Sequence, residues 1–213
     1  MTQINSNNKG GFKPGPFEYH EEIEVEIFSL TNMGQGVART DDNWVILVPF
    51  CLPGEKVVAR IYRNQKNYSE ADLLRVISSS PERIPPECNL FGKCGGCQYQ
   101  HLNYSEQLRW KKKQVEELLL HMADITFEVD EVTPSPDKYS YRTKLTPHFN
   151  KPKEGKVGPI GFQQTGRRSL IDVDECPIAH QTINKNLENI RKEVTQNADS
   201  YKRGSTLLIR VDA

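Results

Sequence analysis

The chain has 213 residues, with 28 basic and 28 acidic side chains, so its net charge at neutral pH is zero. That length allows one large or two small domains. The even balance excludes a partner selected by global charge, so any attraction to a polyanion has to come from local clusters. A hydrophobic content of 36% with a mean hydropathy of −0.65 suits small sheet domains with exposed loops better than a compact enzyme core.

Residues 1–17 are rich in Asn, Gly and Lys and hold no apolar run, which predicts a disordered polar tail and no secretory leader. No stretch is apolar for long enough to span a bilayer, and the expected compartment is the cytoplasm. Residues 18–80 read as one β unit. Ile23, Val25 and Ile27 alternate with acids, as in a half-buried strand. Gly34 and Gly36 precede Val37-Ala38-Arg39, and Asp41-Asp42-Asn43 turns into Trp44 to Pro49. After Pro53-Gly54 come Val57 to Ile61 and Ala71 to Ile77. Five short strands without a helix predict a small, closed or nearly closed barrel of the OB type.

Pro81, Pro85 and Pro86 mark a linker into residues 81–213, a mixed α/β domain. Asn103 is placed to cap a helix, with Glu106 completing a capping box. Tyr104, Leu108, Val115, Leu118, Leu119 and Met122 fall mostly on one helical face, with Lys111 to Lys113 largely on the other. Strands are predicted over Thr126 to Val132, Tyr139 to His148, Pro159 to Phe162 and Leu170 to Val173. A second amphipathic helix starts near Ala179 and carries Ile183, Leu187, Ile190 and Val194. A last strand, Thr206 to Val211, is followed only by Asp212-Ala213, which leads to the expectation of a fragment. The whole reads as a β-rich α+β chain.

Five cysteines lie at 51, 88, 94, 97 and 176. An odd count without a leader argues against a disulfide framework. Cys88, Cys94, Gly95, Gly96 and Cys97 form the strongest chemical signal. Two thiolates three positions apart can serve one centre from a tight turn, with the glycines free to take positive φ. A tetrahedral or cubane site needs four ligands, and Cys176, followed by Pro177, is the fourth candidate. Zinc sites usually pair two Cys-x2-Cys knuckles, and here there is one. The three-plus-one distribution therefore fits an iron–sulfur cluster better, with structural zinc and metal-free burial as the alternatives. Cys51, between Phe50 and Leu52, reads as core packing.

Pro86-Glu87-Cys88 to Cys97-Gln98-Tyr99-Gln100-His101, Gln107 and Lys111, Tyr141-Arg142-x-Lys144, Gly161-Phe162 and Val173-x2-Cys176-Pro177-Ile178 occur in this order. Together they resemble the iron–sulfur branch of the RNA uracil-C5 methyltransferases, whose best-known members modify 23S ribosomal RNA. The preceding barrel is similar to a TRAM domain through Gly34-x-Gly36-Val37-Ala38-Arg39, Val48-Pro49 and Leu52-Pro53-Gly54-Glu55. The resemblance spans about residues 20 to 213. It implies a [4Fe–4S] cluster on Cys88, Cys94, Cys97 and Cys176 with a structural role. It also implies methyl transfer from S-adenosylmethionine to uracil C5 in a C-terminal Rossmann-like domain. This sequence has no Gly-x-Gly-x-x-Gly turn after a strand, so the expectation is a chain without the catalytic domain, inactive alone and binding S-adenosylmethionine only as part of the full-length enzyme.

The expected partner is RNA, ribosomal in preference to transfer RNA, with no membrane and a monomeric chain. Between Lys138 and Arg168 eight basic residues face one acid, Glu154, and such clusters release counterions from phosphate. Arg142 and Lys144, on one face of a strand, are expected to grip RNA, with Arg167 and Arg168 slightly later. The resembled family often has a basic residue where this chain has Gln163. Arg63 and Lys66, near Tyr62 and Tyr68, form a smaller basic–aromatic group on the barrel. His101, close to Cys97, reads as a capping or surface residue, with contact to the cluster's outer shell as the alternative. The other reading of the whole chain is a free-standing RNA-binding module with a structural zinc or iron–sulfur site.

Overall fold

The computed structural model describes Lys13 and residues 15–212, so most of the expected polar tail lies outside the described residues. Two compact units result. One runs to Ile84 and adds His101–Val132; the other joins Pro85–Gln100 to Thr133–Ala213. The first helix, expected with the central segment, thus belongs with the barrel. No helix among the described residues is long and apolar enough to cross a membrane.

In the first unit the strands are β1 (Glu22–Glu26), β2 (Ser29–Leu30), β3 (Gln35–Arg39), β4 (Val45–Pro49), β5 (Lys56–Asn64) and β6 (Tyr68–Ser78). They form one sheet in the order β1-β5-β6-β4-β3-β2, antiparallel throughout except for the parallel pair β4–β6. The two ends of that order, β1 and β2, are successive pieces of one bent stretch, so the sheet curves back on itself. Val25, Ile27, Ala38, Ile46, Val48, Val57, Ala59 and Ile61 fill its interior, as their alternation requires. Cys51 is fully buried among them, and burial pushes its thiol up to about 12, the state of an inert packing residue.

Gly36 is needed for close approach rather than for a turn. A Cβ there would lie 2.9 Å from Ile27 Cγ2 and 3.0 Å from Cys51 Cβ. Gly36→Ala is expected to destabilise this unit by about 1–3 kcal/mol, read as a lower denaturant midpoint at unchanged slope.

Helix α1 (Tyr104–Ala123) starts as predicted, with the Asn103 side chain accepting from the Ser105 N–H. The capping box does not close. Glu106 pairs with Arg109 at 3.0 Å, and the Asn103 N–H donates to the Glu82 carbonyl. The expected apolar face is largely uncovered: Trp110 is buried, whereas Val115, Leu118 and Met122 are exposed. The strand predicted over Thr126 to Val132 is absent. Those residues run as coil, exposed apart from the half-buried Val129 and Val132, and the Val129 N–H bonds to Glu116 Oε1 instead of a neighbouring strand. His101 is also not at the surface: it is buried beside Phe50, and burial lowers its pKa to about 4.

In the second unit a four-stranded antiparallel sheet has the order β10-β9-β8-β11, and a two-stranded one pairs β12 with β7. The ranges are β7 (Lys144–Leu145), β8 (His148–Phe149), β9 (Ile160–Gln163), β10 (Leu170–Asp172), β11 (Ser205–Thr206) and β12 (Ile209–Arg210). The strand predicted over Tyr139 to His148 is therefore two short ones, and Arg142 sits before β7, in an isolated bridge to Ala179. The predicted last strand is likewise divided between β11 and β12, and both pieces have partners. Helix α2 (Gln181–Gln196) buries Ile183, Leu187 and Val194, as its periodicity predicts. Arg191 fastens it to the sheet, donating to Asp172 Oδ1 (2.7 Å) and to the Val173 and Ile160 carbonyls.

Candidate functional site

Cys88, Cys94, Cys97 and Cys176 all line one cavity of about 490 Å³ in the second unit. None is in a disulfide, and each is partly buried. Three segments build the site. The 88–97 loop runs along the β9–β10 hairpin, with the Gly95 N–H donating to the Gln163 carbonyl (3.0 Å) and the Thr165 N–H to the Lys93 carbonyl (2.8 Å). The Cys176-Pro177-Ile178 loop closes another side just before α2.

The glycines act differently from expectation. Neither Gly95 nor Gly96 has positive φ; that conformation falls at Gly92. A Cβ on Gly95 would stand 3.2 Å from the Gln163 carbonyl oxygen, so its bareness lets the loop lie against the hairpin.

Two amide side chains hold the cysteine-bearing loops. Gln100 Oε1 accepts the Cys88 N–H at 3.0 Å. Asn184, in the first turn of α2, accepts the Cys176 N–H and donates to the Cys176 carbonyl, both at 3.0 Å. Sequence reasoning assigned neither residue, although Gln100 lies within the quoted motif.

The surroundings of two of these thiols favour the neutral form. Burial raises the Cys94 and Cys176 thiols, and the other thiolates add to this by repulsion. The opposing influence comes from backbone N–H groups aimed at sulfur: Gly96 on Cys94, and Ile178 and Ala179 on Cys176. A thiol held toward its neutral form becomes a metal ligand only by giving up its proton to the metal's charge. Among the described residues, however, no three His, Cys, Asp or Glu side chains are grouped so as to hold a metal ion. The four thiols share a cavity without closing on one point.

The expected RNA-contacting residues are not all available. On the barrel, Arg63 is tied to Glu70 (3.4 Å) and its neighbour Arg60 to Asp72 (3.3 Å), while Lys66 is exposed. In the second unit Arg142 is exposed on the cavity rim, and Arg167 and Arg168 are exposed at the tip of the β9–β10 hairpin. Lys144 is exposed on β7, directly opposite Arg210 of β12. Arg210 was missed because its partner is 66 positions away, visible only through strand register.

Residues 17–74 match the TRAM domain. The chain is 43% identical, over 93% of its residues, to the tRNA (uracil(54)-C(5))-methyltransferase of Schizosaccharomyces pombe, and 32% identical over 99% to that of Saccharomyces cerevisiae. It spans 39% and 38% of these relatives' lengths. Its fold is similar to the crystal structure of Pyrococcus abyssi tRNA (uracil-54, C5)-methyltransferase in complex with S-adenosyl-L-homocysteine. There the TM-score is 0.60 and the identity 26%, covering 87% of this chain and 42% of that one. The chain is thus a TRAM-bearing relative of RNA uracil-C5 methyltransferases. These relatives are named for transfer RNA, where the sequence reading expected ribosomal RNA.

Proposed function

We propose that this chain is the RNA-holding, cluster-bearing part of an S-adenosylmethionine-dependent RNA uracil-C5 methyltransferase, acting on a transfer RNA. The observation that carries the reading is the arrival of four thiols, three from one loop and one from 79 residues beyond it, at a single cavity in a chain with such relatives. Cys88, Cys94, Cys97 and Cys176 hold a [4Fe–4S] cluster. A cluster suits sulfurs around a roomy cavity, because thiolates on a cube of iron and sulfide stand farther apart than those on one zinc ion. When bound, the group supplies a covalent tie between the 88–97 loop and the start of α2.

The chain's own residues do the rest. Gln100 and Asn184 fix the backbone that presents Cys88 and Cys176, and Leu90, Phe91 and Phe162 shield the cavity. Arg142, Lys144, Arg167 and Arg168 contact phosphates, which position RNA without reading its sequence. Lys66 and Arg63 are secondary contacts on the barrel, Arg63 only after giving up Glu70. These residues hold and position RNA and take no part in the methyl transfer itself. The chain works as a monomer in the cytoplasm, where thiols stay reduced.

Anaerobic reconstitution with iron and sulfide tests this. The wild-type chain is expected to gain the broad visible absorption of an iron–sulfur centre, and Cys176→Ala to lose it, while Cys51→Ala keeps it. The loaded chain is expected to bind a tRNA transcript more tightly than a ribosomal hairpin of equal length. A colourless, zinc-loaded protein would sink the cluster, and equal affinity for the two RNAs would sink the choice of substrate.

A further inference from the structure

Strand β12 pairs antiparallel with β7, Ile209 opposite Leu145 and Arg210 opposite Lys144. The Val211 N–H donates to the Thr143 carbonyl at 2.9 Å. Lys144–Arg210 is therefore the non-hydrogen-bonded pair of this ladder, the kind in which facing side chains stand closest. Register puts both on one face, and both are exposed, while Leu145 on the other face is buried. Two cations directly opposite each other destabilise a sheet. No salt bridge to either side chain is found among the described residues. A two-stranded ladder with so few bonds gains nothing from this arrangement in the free chain.

We infer that Lys144 and Arg210 form a cross-strand phosphate grip, in which one backbone phosphodiester of the bound RNA lies between the two cations. The grip rests on the proposed RNA-holding role and adds to it Arg210 and a single phosphodiester shared across the two strands. An anion between the cations turns their repulsion into two attractions, and Arg supplies a fork that matches phosphate oxygens.

The arrangement carries a signature that an ordinary surface lysine lacks: losing either cation should weaken RNA binding and strengthen the fold. Lys144→Met and Arg210→Met keep most of the apolar stem. Each is expected to lower the slope of log affinity for a tRNA transcript against log salt by about 1. Each should also raise the melting temperature of the RNA-free chain by roughly 2 °C. Sulfate, as a phosphate stand-in, should raise the melting temperature of the wild type more than that of either variant. An unchanged salt slope in a chain that does bind tRNA overturns the grip alone. Lower melting temperatures in both variants overturn the repulsion it depends on. A chain that binds no tRNA overturns the proposed function along with it.

Discussion

Glu55→Ala is expected to cost the barrel-bearing unit about 3–5 kcal/mol, as removal of one partner from a buried ion pair does. Glu55 has no exposed surface. Its Oε1 accepts from Arg83 Nε (2.6 Å) and the Ser80 N–H (3.2 Å), and its Oε2 from Arg83 Nη2 (2.7 Å) and the Leu52 N–H (2.8 Å). Arg83 Nη2 also reaches the Phe50 carbonyl at 2.9 Å. One carboxylate thus holds the turn after β4 to the segment leaving β6, and alanine strands four donors at once. Glu55→Gln should cost less, since it keeps an acceptor but turns an NH2 toward a donor.

Burial alone would raise the Glu55 pKa, but the Arg83 hydrogen bonds, then the Leu52 and Ser80 N–H groups and the Arg83 charge, outweigh it and hold it below 4.5. A carboxyl depressed in the folded state contributes its full stability above its unfolded pKa. It loses that contribution as pH falls through the folded value. Urea midpoints from pH 7 downward should therefore fall more steeply below about 4.5 in the wild type than in Glu55→Gln. Parallel curves would show that the carboxylate is not the linked group.

Gly161→Ala is expected to unfold or severely loosen the second unit, at about 3 kcal/mol or more. A Cβ at Gly161 would fall onto the Ile171 carbonyl oxygen, with Val173 Cγ2 at 2.8 Å and the Val173 nitrogen at 3.0 Å. Two of these three are backbone atoms, in β10 and directly after it, so no rotamer change relieves the clash, and β9 and β10 must separate. That hairpin also backs the 88–97 loop, so iron uptake should fail together with the fold. Gly158→Ala is the control: nothing lies within 4 Å of its Cβ position, and its melting temperature should stay close to the wild type. Similar losses in both variants would mean that β9 and β10 are not packed this closely.

The strands and α2 were legible because their burial follows local period. Ile23, Val25 and Ile27 alternate, and Ile183, Leu187 and Val194 repeat at helical spacing, so each element announces its buried side. The segment from Thr126 to Val132 looks equally strand-like but has no ladder to join, and pairing is not a local property. α1 misled for a similar reason: its apolar residues are present, yet its C-terminal half stays uncovered.

The candidate site divides the same way. Sequence alone marked out the candidate donors, because four of the five thiols are grouped or followed by Pro, whereas Cys51 sits in an apolar run. It also determined that basic residues crowd the stretch from Lys138 to Arg168. Only tertiary structure decided that Cys176 faces the same cavity as the other three and that Asn184 and Gln100 hold their loops. It alone set Arg210 opposite Lys144 and neutralised Arg63 with Glu70. Each of these is a meeting of distant positions, fixed by strand register and packing, and no window of neighbouring residues carries that information.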